Sequence, residues 1–215
     1  MAPTLYMIET STSTRAVLMV AKALGVEITK HYLDITAGEH LTPEFLKLNP
    51  QHTVPTLVEE DGKVLWDGHA IVLYLVDKYG KDNFLYPNDS YTRAIIHQMF
   101  YFEAEYLFPP LSKITKNMFY GNGKIDPNLL DDMGEAYGIL EKLLEGHLWA
   151  VGNETTLADF SIISIITTMD MVLPIDSKTF PNIRAWIKRV ENLPCYKENI
   201  PGLRVYKKVL KKYLK

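Results

Sequence analysis

The chain has 215 residues, enough for one large domain or two small ones, each able to bury a core. An apolar fraction of 47%, a charged fraction of 23% and a net charge of -3 are those of an ordinary globular protein and argue against a nucleic-acid partner. The single Cys195 excludes an internal disulfide framework, no basic and apolar leader opens the chain, and the longest apolar run, Ala70 to Val76, is too short to span a bilayer, so a cytoplasmic protein without membrane insertion is expected.

Thr4 to Ile8 reads as a short buried strand, and Arg15 to Leu24 as a helix stopped by Gly25, where a left-handed cap residue is wanted. Glu27 to Leu33 places β-branched and aromatic residues on alternate positions and reads as a second strand. Thr42-Pro43 pairs an N-cap with a proline at the first helical position and opens a short helix to about Leu48. Thr56 to Glu59 and Lys63 to Trp66 flank Asp61-Gly62, a strong hairpin signal. Gly68 to Lys78 is a helix that ends at Gly80. This order predicts a thioredoxin-like α/β domain over residues 1–80, with one right-handed crossover and a terminal hairpin.

Residues 81–89, KDNFLYPND, are polar and aperiodic and read as a linker. Residues 90–215 show no convincing strand and are expected to form an all-helical domain. Its first helix should run from Ser90 to Phe108 and break or kink at Pro109-Pro110. Asp126-Pro127 opens another helix, with Ala136, Leu140, Leu143 and Leu144 on one face. Thr156 to Asp159 is a capping-box pattern that leads into Phe160 to Met169. Pro181 to Leu193 and Leu203 to Leu214 are further helices. The tail from Lys207 to Lys215 is basic and amphipathic and reads as a solvated helix face.

The loop after the first strand is Glu9-Thr10-Ser11-Thr12-Ser13-Thr14. It has no cysteine, so thioredoxin-type thiol exchange is excluded there. It offers hydroxyls beside a helix N-terminus, where free N–H groups and the dipole favour an anion. These residues also serve as ordinary caps. The histidines at 31, 40, 52, 69, 97 and 147 have no metal-ligand spacing, so no metal site is expected. No phosphate-binding glycine loop or serine-hydrolase elbow appears.

The segments LYMIETSTSTRAV, GEHLTPEFLKLNPQHTVPTL and LWDGHAIVLYLVDKYGKD resemble the cytosolic glutathione transferases, closest to the insect delta and epsilon classes. TLADFSI and FPNIRAWIKRV in the helical half extend the resemblance over nearly the whole chain. It implies an enzyme that conjugates glutathione, a co-substrate, to hydrophobic electrophiles as a homodimer, with no tightly bound cofactor. Glutathione-dependent peroxide reduction and non-catalytic binding of hydrophobic compounds are the alternatives on this fold.

The same resemblance puts Ser11 at the catalytic serine position, ahead of Tyr6, because it lies four residues before Arg15. A hydrogen bond to a charged group contributes roughly 1.5–3 kcal/mol, so one hydroxyl would lower a free thiol pKa of about 8.5 by one to two units. The resemblance implies a cis Val54-Pro55 bond, with Thr53 and Val54 presenting backbone to the ligand. His40 and His52 would meet the glycyl carboxylate. Asp67, Gly68 and His69 would hold the γ-glutamyl end. Here the chain departs from the family, which usually has Glu-Ser where Asp67-Gly68 stands. The missing hydroxyl predicts glutathione binding weaker by roughly 1–3 kcal/mol. The hydrophobic substrate would meet Phe108, Leu111, Ser112, Thr115 and Phe119, with Tyr206 and Leu210 from the last helix.

Overall fold

The computed structural model describes residues 2–82, 84–121 and 123–213, without the side chains of Phe119 and Tyr120. A four-stranded sheet is built from β1 (Thr4–Met7), β2 (Thr29–Tyr32), β3 (Thr56–Val58) and β4 (Val64–Trp66), in the spatial order β2-β1-β3-β4. β1 runs parallel to β2, and the other pairs are antiparallel. Between β1 and β2 lies α1 (Thr12–Leu24), closed by Gly25 in the left-handed conformation at φ 71°. α2 (Pro43–Leu48) follows β2, and α3 (Gly68–Tyr79) follows the hairpin. This is the thioredoxin-like arrangement expected from the order of elements. The second strand differs in one respect: all four residues of β2 are exposed, because it is an edge strand with a neighbour on one side only.

From residue 90 onward the described elements are helical: α4 (Ser90–Phe102), α5 (Phe108–Tyr120), α6 (Pro127–Leu143), α7 (Leu157–Val172), α8 (Pro181–Glu191) and α9 (Ile200–Tyr213). The helix expected from Ser90 to Phe108 does not simply end at the prolines. It widens into a π-helical stretch, Glu103–Leu107, in which the Phe108 N–H donates to the Glu103 carbonyl, and Pro109 and Pro110 then sit in the first turn of α5. Proline lacks the N–H that the preceding turn would use, and the wider turn absorbs that loss. α9 starts at Ile200, three residues earlier than expected, and Leu214, its expected end, lies outside the described residues.

α7 is the axis of the helical half. Every residue from Leu157 to Met169 is buried, so this stretch of the helix has no solvent face. Its N-terminus carries the expected capping box. Asp159 accepts from the Thr156 N–H at 2.9 Å, the Ala150 N–H at 2.8 Å and the Trp186 indole at 2.7 Å. Burial pushes the Asp159 carboxyl up, against the pull of these donors.

α1 packs on α3, on α7 and on the 3-10 turn Pro194–Glu198, and so joins the sheet to the helices. Arg15 of α1 is fully buried at this junction, 1% exposed. It donates to Asn199 Oδ1, to the Ser164 carbonyl and to Thr168 Oγ1. Among the described residues no carboxylate pairs with it, and desolvation lowers its pKa from 12.5 to about 10.

Candidate functional site

Ser11 ends the turn after β1 and is the N-cap of α1: its Oγ accepts from the Thr14 N–H at 3.2 Å. A serine oxygen that accepts there still has its own O–H to donate. Ser11 and Ser13 are half-buried, whereas Thr12 and Thr14 are buried, so Ser11 and Ser13 are the hydroxyls of the helix start within reach of a ligand. Tyr6 instead packs its ring on His31 and Phe45, at centroid distances of 4.4 and 5.7 Å.

The loop from Asn49 to Pro55 owes its shape to Asn49, which sequence reasoning did not single out. Its side chain is fully buried. Nδ2 donates to the Thr53 carbonyl, Thr53 Oγ1 and Thr56 Oγ1 at 2.9–3.1 Å, and Oδ1 accepts from the Gln51 N–H. An asparagine one residue before a proline is common, so only the fold reveals this role. The Val54-Pro55 bond is cis, as the resemblance implied. Among the described residues the Val54 N–H and C=O have no protein partner, so they can pair with an extended peptide.

His52 stands at φ 48° beside this loop and Asp67 at φ 72° before α3. They are the non-glycine residues at positive φ among those described, and such backbone clusters at ligand sites. The ring of His40, carried by the 3-10 turn Glu39–Leu41, lies 6.1 Å from that of His52, and its buried Nδ1 has no partner. Two imidazoles and an open donor suit a carboxylate.

The third segment behaves differently from expectation. The Asp67 carboxylate caps α3, accepting from the His69 and Ala70 N–H groups at 2.9 and 3.1 Å. Both bonds end on Oδ1 of an exposed carboxylate, so the cap leaves Oδ2 unused. Gly68 is buried and brings its backbone N–H to the same helix start. His69 turns toward the helical half: Nε2 lies 2.9 Å from Ser161 Oγ and 3.0 Å from Glu103 Oε2, and its ring stacks on Phe100 at 4.4 Å. Glu103 comes from the π-helical stretch and Ser161 from α7. Neither was legible as a partner of His69. Ser13, Gly68, His69, Glu103 and Ser161 also border a small cavity of about 10 Å³, room for about one water.

The residues expected around the hydrophobic substrate are only partly brought together. Tyr206 and Thr115 join α9 to α5 through hydroxyls 3.1 Å apart. Leu111, Tyr206 and Leu210 are buried among core residues, Ser112 and Thr115 are half-buried, and Phe108 points to solvent. Phe119 lies outside the described side chains. Among the described residues no three His, Cys, Asp or Glu side chains gather as metal ligands do. No described helix is long and apolar enough to cross a membrane.

The chain is similar to known proteins over nearly its whole length. Residues 10–78 match the family model of the glutathione S-transferase N-terminal domain, and residues 92–194 match that of the C-terminal domain. Glutathione S-transferase 1 of Manduca sexta is 42% identical over 207 residues, 94% of each chain. Glutathione S-transferase D7 of Drosophila melanogaster is 39% identical over 96% of this chain and 92% of its own. An epsilon-class glutathione S-transferase from the housefly, Musca domestica, superposes with a TM-score of 0.95 at 41% identity over 98% of both chains. A glutathione transferase homolog from Drosophila mojavensis, solved with bound glutathione, gives 0.95 at 37% identity, covering 99% of this chain and 97% of that one.

Proposed function

The chain belongs to the glutathione transferase family, and from that premise we propose that Ser11 stabilises the thiolate of bound glutathione, which then attacks a hydrophobic electrophile. The observation that carries this is the cap geometry of Ser11. Its oxygen is held by the Thr14 N–H, so the hydroxyl proton is left to point at a sulfur anion at the positive end of α1.

The rest of the site supports the same arrangement. The free Val54 backbone pairs with the cysteinyl unit. His40 and His52 take the glycyl carboxylate, and the N-terminus of α3 at Gly68 faces the γ-glutamyl end. In this reading residues 1–80 form the glutathione-binding domain, and residues 90–215 form the domain that brings the electrophile, past the half-buried Ser112 and Thr115. No metal takes part. The sulfur forms the new bond to the electrophilic carbon, and the electron pair leaves with the displaced group or remains on the adduct. Catalysis comes from thiolate stabilisation and positioning.

The protein is also proposed to act as a homodimer. Tyr91, Ala94, Gln98 and Tyr101 form an exposed stripe on α4 at three- and four-residue spacing, with Tyr91 74% and Tyr101 65% exposed.

Glutathione consumption with a generic aromatic halide, compared between this chain and Ser11→Ala, tests the assignment. A wild-type rate well above background that collapses in the variant supports it. Equal rates in both would remove Ser11 from the chemistry.

A further inference from the structure

Gly68 raises the question of what replaces the hydroxyl that a serine would supply there. The packing around it is specific. A Cβ built on Gly68 would lie 2.8 Å from Ser13 Cβ and 3.4 Å from Ser13 Cα. Real Cβ atoms do not approach so closely. The atoms in the way belong to the first turn of α1, not to the end of a flexible side chain. Ser13 therefore stands where the side chain of residue 68 would begin.

The two positions also share an electrostatic setting. α1 and α3 have 13 and 12 residues, and neither has an acidic residue in its first turn. Their N-termini meet at the Ser13–Gly68 contact, so the positive ends of two dipoles converge there. Of the polar groups nearby, Ser11 Oγ accepts from the Thr14 N–H, Asp67 Oδ1 accepts from the His69 and Ala70 N–H groups, and His69 Nε2 lies against Ser161 and Glu103. Ser13 is half-buried, and its hydroxyl has no hydrogen-bond partner among the described residues.

We propose that Ser13, on α1, supplies the hydroxyl that binds the α-carboxylate of the γ-glutamyl unit, in place of the serine the family usually carries on α3. The space between the two helix starts holds one such side chain. With Ser13 placed as it is, a side chain at 68 would have to push the start of α1 aside. The departure at Asp67-Gly68 is then an exchange of hydroxyls between helices, not a simple loss. This rests on the reading of the first 80 residues as the glutathione site.

Calorimetric binding of glutathione, and of an analogue lacking that α-carboxylate, tests the exchange in the full chain and three variants. Ser13→Ala should weaken glutathione roughly ten- to hundredfold, as loss of a hydrogen bond to a charged group does, and leave the analogue unchanged. It should raise KM for glutathione with little change in kcat. Gly68→Ser alone should also weaken binding, because the new Cβ displaces the start of α1. Ser13→Gly combined with Gly68→Ser should return affinity to within about threefold of the unaltered chain, which singles that merely add would not do. Melting temperatures confirm that each variant is folded. The proposal is overturned if Ser13→Ala binds glutathione normally, if it loses the analogue equally, or if the double variant is no better than Gly68→Ser. An unaltered chain that binds neither compound would instead sink the glutathione-site reading itself.

Discussion

His69 Nε2 lies 3.0 Å from the Glu103 carboxylate, so the first turn of α3 is tied to the π-helical stretch of the helical half. Glu103 is buried, and a buried carboxylate without a partner is costly. His69→Ala is expected to destabilise the protein by about 2–4 kcal/mol, through the stranded carboxylate and the lost stacking on Phe100. The double variant His69→Ala/Glu103→Ala should cost less than the sum of its singles, by about 1–3 kcal/mol. Urea denaturation of the four proteins measures the coupling. Strictly additive singles would show that the two side chains act independently.

Ser11 has two roles, and they separate experimentally. Loss of the cap in Ser11→Ala should cost about 1 kcal/mol of stability, seen as a small drop in melting temperature. Loss of the hydroxyl should lower kcat/KM roughly ten- to a hundredfold at neutral pH. It should also move the acid limb of the pH–rate profile upward by about one to two units, because a less stabilised thiolate forms only at higher pH. A rate change without that shift would assign Ser11 to positioning alone.

Gly202 in the first turn of α9 is buried against the Glu9–Ser11 turn. A Cβ there would collide with the Glu9 carbonyl and meet Arg15 Cδ at 2.5 Å. Gly202→Ala should therefore push α9 away from the Glu9–Ser11 turn, lower kcat and cost about 1–3 kcal/mol of stability. Steady-state kinetics and thermal melting read the two effects. Gly134→Ala is the control, because nothing lies within 4 Å of a Cβ at that position.

Three surface carboxyls, Asp34, Asp89 and Asp176, sit below their ordinary pKa. The Thr36 and Thr179 hydroxyls are the main cause for Asp34 and Asp176, and the Thr92 N–H is for Asp89. Each folded pKa lies below its unfolded value, so the unfolded chain binds more protons in acid. Their stabilisation is complete above the unfolded value near pH 4 and is lost as pH falls through the folded values. NMR titration should find all three below the usual aspartate range, with melting temperature falling over the same acid window. Asp34→Asn should flatten part of that fall. A normal titration of Asp34 would contradict the turn it makes with Thr36 and Ala37.

Much of the fold was legible because its signals are local. Asp61-Gly62, Thr42-Pro43, Gly25 and the Thr156–Asp159 capping box each act within four residues, and each appears where the sequence places it. The path through Pro109-Pro110 was not legible. Proline announces a missing N–H, but whether the helix stops, kinks or widens depends on what packs around it.

The sequence by itself determined the order of strands and helices, the family, and where the loops between the elements lie, since periodicity, caps and motifs are written in consecutive residues. Only the tertiary structure decided which side chains those loops leave free. Asp67 caps α3 through one oxygen, His69 turns toward Glu103 and Ser161, and Asn49 holds the loop from within. Ser13 and Gly68 are 55 positions apart, and no local pattern says that they compete for one space. Steric exclusion and buried hydrogen bonds act between surfaces that meet only after folding.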